Sequence, residues 1–193
     1  MNFNFFLHGI KNIVFNPVRF WETIKSENSP AGLIRNSFFI PIVILVALSA
    51  FFGSLLFTNT ELSPVYSVLF SIKCIVVIFI AVYATSYLLG EITYPLDLGR
   101  DFNTSFRLVV FSVTPFLICQ ILSGVFESLL FVNIMGFYGL YIFWIGEEKI
   151  LNPPQYKKMP LLIAAAITFA GIYIAADLLF SMITDRLYHS LLA

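Results

Sequence analysis

Residues 65–89 read VYSVLFSIKCIVVIFIAVYATSYLL, 25 positions with a single charge at Lys73. The hydrocarbon layer of a bilayer is about 30 Å thick, and a helix needs about 20 apolar residues to cross it. No water is available there, so a lone segment must satisfy its own backbone by becoming a helix. Four further runs have the same character, over 38–57, 106–122, 125–145 and 161–183. The chain reads as all-α, a polytopic membrane protein formed by a bundle of five transmembrane helices with a short amphipathic N-terminal helical region. It divides into an interfacial segment over 1–35 and a five-span domain over 36–193.

Composition agrees. Of 193 residues, 59% are apolar and 11% are charged, where a soluble domain is about 25% charged. Mean hydropathy is +0.90. Disordered chains show the opposite balance. Eleven Lys and Arg against eleven Asp and Glu leave no basic footprint for nucleic acid, which is excluded as a partner. Cys74 and Cys119 lie within apolar runs and are expected to be free thiols used in packing. The first 20 residues lack the short apolar core and small-residue cleavage site of a signal peptide.

Within the first 35 residues, Phe3, Phe5, Phe6, Ile10, Ile13 and Val14 alternate loosely with Asn and Lys11. Asn16-Pro17 then opens a second helix, with Asn as cap and Pro at the first helical position. Phe20, Trp21 and Ile24 make its apolar side, and Arg19, Glu22 and Lys25 its polar side. Such a helix suits the headgroup layer, or it packs on the ends of the spans. Nine of the eleven basic residues fall on one side of the spans. By the positive-inside rule that side is cytoplasmic. The expected location is a bacterial inner membrane, with the N-terminus cytoplasmic and the C-terminus outside.

Small residues let helices approach in lipid. Ser67, Ser71, Cys74, Ile78, Ala81 and Thr85 form one such stripe, and Gly136, Gly139, Phe143 and Gly146 another. The last run is small on two faces, with Ala164, Thr168, Gly171 and Ala175 on one and Ala166 and Ala170 on the other. That predicts a helix enclosed within the bundle. Ser123-Gly124 predicts a tight hairpin between the third and fourth spans. Thr114-Pro115 falls mid-span and predicts a kink, since proline removes one backbone hydrogen bond.

Ionisable residues inside spans point to function by default. Lys73, Asp177 and Glu127 are the candidates. From a rise of about 1.5 Å per residue, Lys73 lies roughly 12 Å, Asp177 roughly 9 Å and Glu127 roughly 3 Å from the outer ends of their spans. Lys73 and Asp177 match in depth and oppose in sign, which predicts a pair. Lys73 snorkelling to the headgroups, a structural ion pair and a proton or ion relay all remain open. On the cytoplasmic side, Glu91, Asp97, Arg100, Asp101 and Arg107 crowd the loop between the second and third spans. Asp97 and Asp101 have the spacing to share a divalent cation, but such a run more often pairs its own charges, and no metal or other cofactor is expected. Enzyme signatures are missing, including H-E-x-x-H and G-x-S-x-G, so no catalytic residue is assigned.

The chain resembles the Yip/Yif membrane-protein family, named for interaction with Rab-type GTPases. Three motifs carry the resemblance: Asn16-Pro17-x-x-Phe20-Trp21, then Phe111-Ser112-Val113-Thr114-Pro115, then Gly139-Leu140-Tyr141-Ile142-Phe143-Trp144-Ile145-Gly146. The likeness spans nearly the whole chain and is nearest to prokaryotic members. It implies a five-span membrane scaffold or adaptor in membrane organisation or trafficking. The long polar N-terminal region of eukaryotic members and their Asp-Leu-Tyr-Gly-Pro-like segment have no counterpart here, so GTPase binding is not carried over. The expected partners are membrane lipids, a membrane or peripheral protein, and a second copy of the chain. The competing class is a small ion or solute transporter using Lys73, Asp177 and Glu127.

Overall fold

The computed structural model describes residues 3–27, 30–57, 63–96, 98–125 and 127–192. All regular structure among them is helical. Helices α1 (Phe3–Phe15) and α2 (Pro17–Glu27) form an N-terminal hairpin. A short α3 (Ala31–Ile34) runs through a π turn at Arg35–Phe39 into α4 (Ile40–Phe57). Then follow α5 (Ser63–Thr93), α6 (Phe102–Val125), α7 (Tyr138–Ile150) and α8 (Gln155–Leu192).

Four rods are long and apolar enough to cross a membrane: Ala31–Leu56, Pro64–Leu96, Phe102–Val125 and Gln155–Ser190. All four begin before the apolar runs that announced them, because their polar ends continue the same helices. The fourth run departs from expectation. It forms a 3-10 segment at Glu127–Phe137 and then the 13-residue α7, so no single helix of spanning length covers it. It still returns antiparallel along α6: Gly136 abuts Phe116, Gly139 abuts the Ser112 carbonyl, and Gly146 abuts Leu108. Asn and Gly, as at Asn133 and Gly136, are weak helix formers. Hydropathy alone does not separate a 3-10 turn from an α-helix.

The π turn has a local cause. Pro41 has no N–H to give to the preceding turn, and Ile40 N bonds back five residues to Arg35 O. The widened turn places two consecutive rings, Phe38 and Phe39, in the core. At the other end of this rod α4 meets α6 glycine to glycine. A Cβ on Gly53 would overlap the carbonyl oxygen of Gly124, and one on Gly124 would come within 2.8 Å of Ser49 Oγ. Backbones touch there because neither residue carries a side chain. Ser123-Gly124 thus serves a helix crossing, and α6 runs past it to Val125.

α5 and α8 lie antiparallel. Tyr66 meets Tyr188 with ring centres 5.3 Å apart, and Lys157 Nζ reaches the Leu96 carbonyl at 2.7 Å. The expectation that the last span is enclosed is corrected here. Only 17% of its most apolar window is buried. Gly171 has open space where a Cβ would stand, and Ala175 is exposed. α8 is a peripheral helix leaning mainly on α5. Its small residues do not report close packing on two faces.

Candidate functional site

Three separate stretches converge at the end of the bundle that carries most of the basic residues. Trp21 of α2 is fully buried, and its Nε1 donates to the Ile142 carbonyl of α7 at 3.0 Å. Gly146, one turn on, makes room for the indole. A Cβ there would lie 2.6–2.7 Å from the ring and 2.9 Å from Leu108 Cδ2. Phe111 of α6 supplies the third wall, edge-on to Phe20 at 4.8 Å, to Trp21 at 5.7 Å and to Phe38 at 5.1 Å. Aromatic pairs prefer such edge-to-face geometry. The Asn16–Trp21, Phe111–Pro115 and Gly139–Gly146 strings therefore share one contact region.

The hairpin packs on the bundle, α2 against α7 and α1 against the π turn and α6. Gly9 abuts the ring of Phe38, and the Tyr138 hydroxyl, at the inner start of α7, donates to Val14 O at 3.0 Å. Glu22 closes the outer rim through Lys149, 2.6 Å away. The hairpin is two-sided. It buries Phe6, Ile13, Phe20, Trp21 and Ile24 against the bundle and turns Leu7, Phe15 and Val18 outward.

Lys73 and Asp177 come together at the α5–α8 contact, with Nζ 2.9 Å from Oδ1. Lys73 also donates to Ser181 Oγ at 3.0 Å and lies 5.0 Å from the Phe70 ring centre. The ammonium is thus held by a carboxylate, a hydroxyl and a ring face, which fixes the register of α8 on α5. Breaking a fully buried pair costs about 3–5 kcal/mol and an exposed one under about 1. The Asp177 side chain is 40% exposed, so Asp177→Asn is expected to lower stability by about 1–3 kcal/mol. Thermal melts of the purified protein check this; an unchanged curve would mean that the pair does not hold α8.

The charged loop is occupied with itself. Glu91 pairs with Arg100. Asp101 caps α6, accepting from Asn103 N at 3.0 Å, Thr104 N at 3.1 Å and Thr104 Oγ1 at 2.6 Å. Burial works against the Asp101 charge, but the bonds from Thr104 and Asn103 outweigh it and hold the carboxyl below its ordinary range. Arg107 is buried in α6. Asp97 and the side chain of Glu127 lie outside the described residues. Among the described residues, no three His, Cys, Asp or Glu gather as a metal site would require. Thr114 and Pro115 are both buried in α6, where the Thr114 hydroxyl bonds back to Val110 O at 3.0 Å.

One residue escaped the sequence reading. Glu147 lies past the apolar run, in Glu147-Glu148-Lys149, which reads as a solvated turn. Its side chain is fully buried, and neither carboxyl oxygen has a hydrogen-bond partner. Burial pushes its pKa up to about 8, offset in part by Lys158. Glu148 holds Lys158 at 2.9 Å instead and is lowered by it. The signal was helical phase: Glu147 follows Phe143 by four residues and so shares its buried face.

Residues 11–177 match the Yip1 domain family. No curated protein and no solved structure matches the chain.

Proposed function

We propose that this chain, which belongs to the Yip1 domain family, is a non-enzymatic membrane adaptor that holds a partner's apolar segment against its N-terminal hairpin. One observation carries the reading: the docked hairpin of α1 and α2 keeps a second apolar edge, Leu7, Phe15 and Val18, that the bundle does not cover. Of the three charges that a transporter would use, Lys73 and Asp177 are engaged with each other. Lys73 is held by Asp177 and Ser181, and the loop charges pair or cap helices. The basic excess at the hairpin end supports a cytoplasmic N-terminus, and the prokaryotic character of the motifs supports a bacterial inner membrane.

The test places a photo-crosslinking residue at Phe15, at Val18 and, as control, at the lipid-facing Ile174 of α8 in living cells. The expected result is a discrete protein adduct from the hairpin positions and not from Ile174, lost when Trp21→Ala undocks the hairpin. Adducts with lipid alone would overturn the adaptor reading. Asp177→Asn should keep the protein adduct. Ion or solute flux in liposomes that disappears with Asp177→Asn would establish the transport alternative.

A further inference from the structure

Because α8 leans on α5, it stands away from α6 and from the 3-10 segment, leaving a cavity of about 490 Å³ between them. Gly136 and Gly139 on one wall and Ala166 and Ala170 on the other line it. Gly136 and Gly139 pack closely on Phe116 and the Ser112 carbonyl, while Ala166 and Ala170, which read as a packing face of the last span, border open space. Phe137, Ile167 and Ile174 lie at its margin and are exposed at 71%, 69% and 56%, so the cavity opens sideways, toward the lipid around the bundle.

Its polar atoms are the unusual feature. Several helical hydroxyls of this protein bond back to their own helix, as at Ser49, Ser71, Ser86, Thr93 and Thr114. Thr85 and Ser112 do not. They are 1% and 6% exposed, line the cavity, and their hydroxyl oxygens have no partner. Asn133 Oδ1, across the same cavity, is also without one. An unmatched buried polar group is costly in apolar surroundings. Among the described residues, the lining includes no Lys, Arg, His, Asp or Glu.

The geometry points to a binding site for a single-chain neutral lipid with a hydroxyl-bearing head, of the monoacylglycerol class, entering sideways from the bilayer. The apolar walls take the chain. A hydroxyl of the head both accepts and donates, which suits two hydroxyls and an amide oxygen that lack partners in one lining. A phosphate or ammonium head would be buried in the cavity with no opposite charge among the described lining residues. The volume falls within the range of about 300–1,000 Å³ that holds one drug-sized ligand, which is room for one chain and a small head.

The experiment uses the full chain in nanodiscs and a monoacylglycerol carrying a diazirine and an alkyne on its chain. Labelling is expected to map to peptides of α7 and α8. Excess unlabelled monoacylglycerol should compete it away, and a lysophospholipid of the same chain length should not. Thr85→Val and Ser112→Ala break no hydrogen bond, so both should fold with unchanged melting temperature and bind about five- to tenfold more weakly. Filling the cavity from its α8 wall with Ala166→Leu and Ala170→Leu should abolish labelling. Equal competition by a lysophospholipid, or by a two-chain phospholipid, would identify ordinary surrounding lipid and overturn the proposal. Unaltered affinity in the folded Thr85 and Ser112 variants would do the same.

Discussion

Replacing Trp21 by alanine should destabilise the protein by about 3–5 kcal/mol, the cost of emptying a well-packed aromatic site. The indole is fully buried, meets Phe111 and Gly146, and gives its N–H to Ile142 O. No nearby side chain can collapse into the space without pulling α2 from α7. For a chain of this size that corresponds to a fall in Tm on the order of 10 °C. Trp21→Phe keeps most of the packing and loses one hydrogen bond, so its cost should be near 1 kcal/mol. A cysteine at Ile24, buried in the native hairpin, reports the same event: its labelling by a soluble maleimide should rise sharply in Trp21→Ala and little in Trp21→Phe. Equal effects of the two substitutions would show that packing of the indole is not what holds the hairpin.

The second large effect is on pH dependence. Glu147 is buried without a hydrogen-bond partner, and its pKa in the folded protein is raised from 4.5 to about 8. Above pH 4.5 the unfolded chain gives up this proton while the folded chain keeps it. Folding therefore takes up a proton, and stability declines as pH rises. The decline runs from about pH 4.5 to about pH 8 with a slope of up to about 1.4 kcal/mol per pH unit. Glu147→Gln carries no such proton. It should abolish that part of the slope and be the more stable protein above pH 8. Melts of both proteins from pH 5 to pH 9 decide it, and parallel curves would place Glu147 in contact with water.

Periodicity and composition made the helical membrane class legible, and the lysine and arginine count marked one end of the bundle. Depth arithmetic also brought Lys73 opposite Asp177, since helices of similar length place residues at comparable heights. What was hidden depends on surfaces meeting. Phe20 and Trp21 show an apolar face, but that pattern is the same for a helix lying on lipid and one buried against Phe111. Gly136 and Gly139 satisfy a rule for close helix packing and do meet α6, whereas Ala166 and Ala170 satisfy the same rule on α8, which leans away and leaves a cavity. The break at Glu127–Phe137 was hidden because its residues are as apolar as those of a helix. Thr85 and Ser112 look like ordinary packing hydroxyls. What sets them apart is that their buried oxygens have no hydrogen-bond partner.

The hydrogen bond from Trp21 to Ile142 joins residues 121 positions apart, and this has a consequence during synthesis. At about 5–20 residues per second, the acceptor is made roughly 6–24 s after the indole. For that interval the hairpin has been translated, and the wall it will lean on has not. Phe20, Trp21 and Ile24 then need another apolar environment, and the membrane surface is the nearest one. The segment thus has two successive homes, first the bilayer surface and then the groove between α6 and α7. The same amphipathic pattern serves both. Docking of the hairpin becomes the step that records the arrival of the fourth crossing, and a chain that stops short of it keeps its N-terminus on the lipid.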